Sequence, residues 1–269
     1  MLNKKGMQFI WIFSLIAGVT ILFLFSSFAL KYKDMQEQKI DVEILKNLNN
    51  GIQRLQGSEH ISVKIDFPKE TTVRCGNIIL RSEHNTKSIL FSGEKLKDDV
   101  VMWQQPFNFP FKITNFYYLV DKNNKFSISE ERLLADIPDS LNGNFNSIEG
   151  RKVFFSRSAY TENKNNYYVN EELKYVEHLE NRYDYYNDEM LLGLLISDNQ
   201  ECIVEEVREK IKEISEVYFN KASLLKDCEY AKALEILNDM KNLKRVEENS
   251  ALLKKENKRL IGGNCVGIY

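Results

Sequence analysis

Proline is scarce, and what there is lies early. The chain has Pro68, Pro106, Pro110 and Pro138, and none of its last 131 residues is proline. A proline-free stretch of that length fits a helical last part, after a first part of strands and loops. Histidine is scarcer still. His60, His84 and His178 are far apart, and none shares metal-ligand spacing with a cysteine. The sequence has no Cys-x-x-Cys, phosphate loop, dinucleotide glycine pattern or Gly-x-Ser-x-Gly elbow. The local-motif forms of zinc binding, thiol redox chemistry, nucleotide binding and serine hydrolysis are therefore excluded. Nothing indicates a cofactor. There is no Asn-x-Ser/Thr sequon and no excess of one charge, the net charge being −2 over 269 residues. That balance argues against nucleic acid as a partner. The basic run KKENKR, residues 254–259, reads as a solvated helix face carrying an interleaved glutamate.

What is present is one long apolar run. Phe9 to Leu30 contains no charged residue. Its 22 residues span about 33 Å as a helix, against a hydrocarbon core of roughly 30 Å. Three fates compete. A cleaved export signal has an apolar core of about 7–15 residues, shorter than this one, although Ser27-Phe28-Ala29 offers small residues for a cut. A pilin-type leader would be cut after Gly6. KKGMQF resembles the archaeal form of that signal, with Trp11 where the family commonly carries a glutamate. An uncleaved signal-anchor satisfies every rule and is the reading adopted. The short basic tail before the run places the N-terminus in the cytoplasm.

The resulting organisation is a cytoplasmic tail at 1–8, a transmembrane helix at 9–31 and a helical stalk at 32–57. A mixed domain follows at 58–198, with a helical part at 199–269 packed on it. In the stalk, Leu45, Leu48, Ile52 and Leu55 form a stripe interrupted by Gly51, which suits packing on the protein's own domain better than a coiled coil. HISVKIDF (60–67) alternates as a half-buried strand that Pro68 should end. TVRCGNIILR (72–81) and SILFSG (88–93) read as further strands joined by a turn. FKITNFYYLVD (111–121) reads as a strand buried on both faces after Asn115. Ser127 and Glu130 have capping-box spacing ahead of an apolar helical pattern that Pro138 should end or bend. RKVFFSR (151–157) follows as a strand, and strand–helix–strand implies a parallel crossover. KYVEHL (174–179) and the apolar EMLLGLLISD (189–198) read as strands. Asp198 and Asn199 are candidate caps for a strong amphipathic helix after residue 199. The fold class expected is α/β, with α+β as the alternative.

The segments KKGMQFIWIF, VVMWQQPFNFPFKITNFYYLV (100–120), LLGLLISD (191–198) and the final NCVGIY together resemble a family of single-pass membrane proteins of small-genome, often symbiotic archaea. The resemblance implies an anchor and a mixed domain. It implies no activity and no site residue.

Two clusters are candidates for contact chemistry. Trp103, with Phe107, Phe109, Phe111, Phe116, Tyr117 and Tyr118, is an aromatic group beside Asn and Gln. The phenylalanines read as core, and Trp103 is the candidate partner contact. Asp184, Asp188 and Glu189 offer oxygen ligands for calcium, though not at EF-hand spacing, and a solvated loop is the better reading.

The four cysteines, Cys75, Cys202, Cys228 and Cys265, all follow the apolar run. An even number in an exported domain suggests two disulfides, with three possible pairings. A helix starting near Cys202 and running to about residue 226 is about 35 Å long. It puts Cys202 and Cys228 far beyond the Cα separation of about 7 Å that a disulfide allows. Residues 229–260 would make one helix of about 48 Å, too long for a compact domain of this size. A break at 244–250 would fold them into a hairpin that returns Cys265 to Cys228. The expected pairs are therefore Cys228–Cys265 and Cys75–Cys202. The functional expectation is a non-enzymatic envelope protein that meets the bilayer through residues 9–31 and binds or scaffolds a protein or glycan partner. A pilin-like filament subunit and a surface-anchored hydrolase with a dispersed site are the alternatives.

Overall fold

The computed structural model describes residues 4–56, 61–135 and 137–269, with side chains from Trp11 onward. His60 therefore lies outside the described residues. The chain divides into two compact units, Met1–Lys46 and Asn47–Tyr269. Helix α1 runs from Lys4 to Gln56. Trp11, Phe13, Phe23, Phe25, Phe28 and Leu30 are all exposed on it. A contiguous apolar surface of this kind is unfavourable in water and suited to lipid, because the helix satisfies its own backbone. Among the described residues, α1 is the helix long and apolar enough to cross a membrane.

The second unit begins with the last turns of α1. Leu48, Ile52 and Leu55 are buried there. A β-carbon on Gly51 would lie 2.9 Å from Ile65 Cδ1 and from Met102 Cε. The glycine that interrupts the leucine stripe thus lies against the sheet beneath it, with no room for a side chain. The Gln104 side-chain amide donates to the Leu55 carbonyl beside it.

That sheet contains β1 (Ser62–Arg74), β2 (Asn77–Ile79), β3 (Glu83–Asn85), β4 (Ile89–Ser92), β5 (Lys95–Asn108) and β6 (Lys112–Asp121), in the order β3-β2-β1-β5-β6-β4. The β4–β6 pair is parallel and the other pairs are antiparallel. Pro68 does not end β1. The register shifts between Phe67 and Thr71, so the proline falls in an irregularity where no ladder bond is required of it. Cys75 and Gly76 turn β1 into β2, both with positive φ, 51° and 70°. The expected single strand over 72–81 is therefore a strand end, a tight turn and a second strand. The expected turn at 82–87 contains β3. Sequence reading missed β5, the long central strand.

The second sheet has the order β11-β10-β9-β8-β7, from β7 (Phe126–Ser127), β8 (Arg151–Phe154), β9 (Asn166–Asn170), β10 (Tyr175–His178) and β11 (Asn181–Asp184). Pairs β7–β8 and β8–β9 are parallel, and the two hairpin pairs β9–β10 and β10–β11 are antiparallel. The expected crossover exists, but it leaves from β7, since β6 belongs to the other sheet. Ser127 lies in β7, so the capping box is not formed. Helix α2 (Glu131–Leu134) starts after Glu130 without a side-chain cap. A 3-10 turn (Asp139–Leu141) and α3 (Asn142–Phe145) complete the connection. With two sheets, mostly antiparallel, and a helical last part, the class is α+β.

EMLLGLLISD is a helix, not a strand. Helix α4 (Asp188–Ile196) is capped by Asn187, whose side chain accepts from the Met190 N–H. It touches β4, β5 and β6 of the first sheet and β10 of the second. Every residue from Met190 to Ile196 is buried. A helix enclosed on all sides carries no amphipathic stripe, which is why its sequence imitates a buried strand.

Helix α5 (Gln200–Leu224) buries Ile203, Val204, Val207 and Ile211. Helices α6 (Ala231–Lys241) and α7 (Val246–Gly262) form the hairpin that the cysteine argument required. The break is at 242–245, slightly before the expected place, with Leu243 and Arg245 in the left-handed region. The disulfides are Cys75–Cys202 and Cys228–Cys265, with Cα separations of 5.5 and 5.9 Å. Beyond α7 the chain is held in place by side chains. Asp227 accepts from the Val266 N–H and from the Tyr230 hydroxyl, both at 2.8 Å. These bonds hold its carboxyl below the usual carboxylate range. Asn257 accepts from the Ile268 N–H, and Tyr269 packs on Phe111 and Tyr218.

Candidate functional site

Two surface features of the second unit combine several functional groups. The first is a cleft of about 790 Å³ where α5 begins. Arg74 and Cys75 line one side, Asn181–Asp184 of β11 another, and Asp198–Cys202, Glu205 and Arg208 the third. The Cys75–Cys202 bridge crosses from the first sheet to the helix within it. The junction around the bridge is held by other contacts. Asp198 accepts from the Glu94 N–H and pairs with Arg151. Arg151 also donates to the carbonyls of Leu195 and Ser197, which caps the end of α4. The Asn199 amide donates to the Val73 carbonyl, and the Ser197 hydroxyl accepts from the Ser92 N–H. Asp198 and Asn199 were expected as helix caps. Asn199 does precede α5, but its side chain makes no cap bond. One turn beyond Cys202, the Glu206 carboxylate lies over Gly76, and burial raises its pKa.

The second feature is the outer face of the second sheet. The register puts Phe154, Tyr168, Glu177 and Arg182 in one row across β8, β9, β10 and β11. Tyr160, from the loop after β8, lies 5.8 Å from Tyr168 between ring centroids. The Arg157 guanidinium stands 5.1 Å from the Tyr160 ring and 5.0 Å from the Tyr168 ring. Arg182 stands 4.8 Å from the Tyr175 ring. Glu177, 8% exposed, forms ion pairs with both arginines. Asn170 reaches the hydroxyls of Tyr168 and Tyr175 at 3.5 Å. The face thus offers ring edges, charged donors and a shielded carboxylate, the group types enriched at binding surfaces. No spacing pattern reveals this row, because its members are 5–14 residues apart and only the strand register aligns them.

The residues singled out from sequence are placed as follows. Trp103 is not a surface contact. It is 3% exposed and stacked on Tyr118 at 4.9 Å, because the inward-facing side of β5 carries it into the core. Asp184 pairs with Arg208, and Asp188 with Arg132. Glu189 lies in the first turn of α4, and its carbonyl accepts the Tyr118 hydroxyl. Among the described residues no three His, Cys, Asp or Glu side chains are grouped to hold a metal ion. His84 meets the Ser82 hydroxyl at 2.8 Å, and His178 stacks on Tyr167 at 4.2 Å.

No family model, curated protein or solved structure matches the chain. The case for function therefore rests on the geometry of these two surfaces.

The tyrosine-rich stretch that joins β11 to α4 sets an alkaline limit. Burial pushes Tyr185 up to about 12 and also raises Tyr167 and Tyr186. An unfolded tyrosine ionises near pH 10. The folded state therefore favours the neutral phenols. Their contribution to stability is full below pH about 10 and is lost as pH rises from there towards 12. Phenolate absorbance followed alongside circular dichroism should show these tyrosines ionising only as the fold is lost. Reversible ionisation of all 13 tyrosines near pH 10 with the fold intact would contradict the burial described.

Proposed function

We propose that the chain is a single-pass, membrane-anchored protein of the cell envelope. Its second unit faces the oxidising side and binds a protein or glycan partner without catalysing a reaction. The observation that carries the binding part is the row Phe154–Tyr168–Glu177–Arg182 with Arg157, Tyr160 and Tyr175 around it. Sheet faces turned to solvent are ordinarily filled with short polar side chains, whereas this one carries half-buried Phe154, Tyr160 and Tyr175 around a buried Tyr168, with two exposed arginines paired to Glu177. The apolar surface of α1 and the two disulfides support the compartment. The lipid bilayer is the partner of residues 9–31.

The test is co-purification from native membranes in mild detergent. A partner retained by the wild-type chain should be lost from the Arg157→Ala/Arg182→Ala variant, whose fold is checked by circular dichroism. Equal retention by the two folded proteins would remove this face from the proposal.

One observation favours a second reading, a subunit of a surface filament. A single helix, α1, carries both the apolar run and the turns from Asn47 that pack on the first sheet. The filament reading requires cleavage after Gly6. Mass spectrometry of the native chain separates the two: a mature N-terminus at Met7 supports the filament, and an uncleaved tail supports the anchor.

A further inference from the structure

The geometry points to a second copy of this chain as the partner of the β11 edge. Two copies of β11 pair antiparallel about a two-fold axis at Tyr183, which joins their five-stranded sheets into one continuous sheet.

The edge is open and its backbone is available. β11 is the outermost strand of the second sheet, and Asn181, Arg182, Tyr183 and Asp184 all line the cleft at the start of α5. Hydrogen bonds to β10 use alternate residues of the strand. The Tyr185 N–H donates to the Lys174 carbonyl, so the register turns the backbone groups of Asn181 and Tyr183 to β10 as well. The N–H and C=O groups of Arg182 and Asp184 point the other way, to the free edge and the cleft. Such a row of outward groups is a template for another strand. The other sheet edges offer less. β4 is buried, β7 has two residues, and β3 carries no Lys or Arg to match its Glu83.

Charge selects the occupant and the register. Arg182 and Asp184 stand on the same face of the strand, with side chains 64% and 60% exposed. An antiparallel strand laid along the edge matches them with an acidic residue opposite Arg182 and a basic one two residues earlier, opposite Asp184. Arg182-Tyr183-Asp184 is itself that sequence. Paired about Tyr183, Arg182 of each copy lies opposite Asp184 of the other, and each pair exchanges both of its backbone hydrogen bonds. Centring the pairing on Arg182 or on Asp184 instead sets like charges opposite each other, which is destabilising. The ion pairs within one copy do not stand in the way. Arg182 meets Glu177 through Nε and Asp184 meets Arg208 through Oδ2, which leaves the Arg182 amino groups and Asp184 Oδ1 for the second copy.

Tyr183 lies on the axis, and its ring packs on the core side of the sheet. The contact therefore leaves the row Phe154–Tyr168–Glu177–Arg182 uncovered, and it is separate from the partner proposed for that face. Because the backbone of Tyr183 faces β10, its two copies form a non-hydrogen-bonded pair, with Cα atoms about 4.5 Å apart. That separation lies within the range a disulfide spans.

The experiment uses this pair. The full-length Tyr183→Cys variant, with both native bridges intact, is oxidised in native membranes and run on a non-reducing gel. A covalent dimer is expected. Glu172→Cys, exposed in the turn between β9 and β10, should give little. In the Tyr183→Cys background, Asp184→Arg or Arg182→Asp should lower the dimer at least about fivefold. The double exchange Arg182→Asp/Asp184→Arg should restore it, since it makes the edge self-complementary again. Circular dichroism confirms the fold of each variant, and the comparison of the two cysteine positions stands without the charge variants. The proposal is overturned if Tyr183→Cys gives no dimer, if Glu172→Cys gives as much, if the single exchanges leave the dimer unchanged, or if the double exchange does not restore it. A cross-link from Tyr183→Cys to a different protein would also overturn it and assign the edge to another chain.

Discussion

Replacing Phe116 with alanine should lower the unfolding free energy of the second unit by about 3–5 kcal/mol. The ring is fully buried where β6 lies between β5 and β4. It meets Phe91 edge-on at 5.0 Å and stacks on Phe107 at 4.5 Å. Truncation removes both ring pairs and leaves a cavity among neighbours that are themselves fixed by strand pairing. The surroundings have little freedom to collapse into it, which puts the cost in the upper part of the usual range. Denaturant titration of the full chain in micelles measures the change. An unshifted midpoint would show that the aromatic strand is not the core of this fold.

Gly193→Ala should be nearly as damaging, although it adds only one methyl group. A β-carbon at Gly193 would sit 2.4 Å from Phe91 Cδ1 and Cε1, inside the ring's van der Waals surface. Phe91 cannot retreat, because its other contacts are Phe116 and the Tyr118 ring stacked on it at 5.3 Å. Helix α4 must lift from the first sheet instead, and it is enclosed by the second sheet through β10. Overpacking of this kind costs about 3 kcal/mol. A wild-type midpoint in the same titration would mean that α4 does not lie against β4 as described. Phe91→Leu in the Gly193→Ala background should recover part of the loss if the clash is the cause.

These two positions also show what the sequence could and could not disclose. Phe116 lies in a run whose apolar density after Asn115 marks burial on both faces, and the structure places it there. Helix α4 was misread because total enclosure removes the periodicity that separates helix from strand. The Asn187 cap was the surviving local signal. Strand β5 escaped notice because Pro106 and the aromatic residues around it resemble a loop or a contact patch. Helix α5 was legible from its apolar stripe and residues 229–260 from their helical composition, and the helix lengths then limited the cysteine pairing. The outer face of the second sheet was not legible, because register assembles it from residues that no spacing rule connects. Trp103 illustrates the reverse limit. Its neighbours Gln104 and Gln105 suggested a contact surface, but alternation along β5 turns its ring inward.

If α1 anchors the chain in the membrane as proposed, the second unit lies on the oxidising side of it. Single cysteines introduced at exposed positions, Lys164→Cys and Glu172→Cys, provide the direct measurement. They are labelled with a membrane-impermeant maleimide in intact cells and again after the membrane is opened. Full labelling is expected at both positions before opening. Labelling that appears only after opening would place the disulfide-bearing unit in the cytoplasm and contradict it.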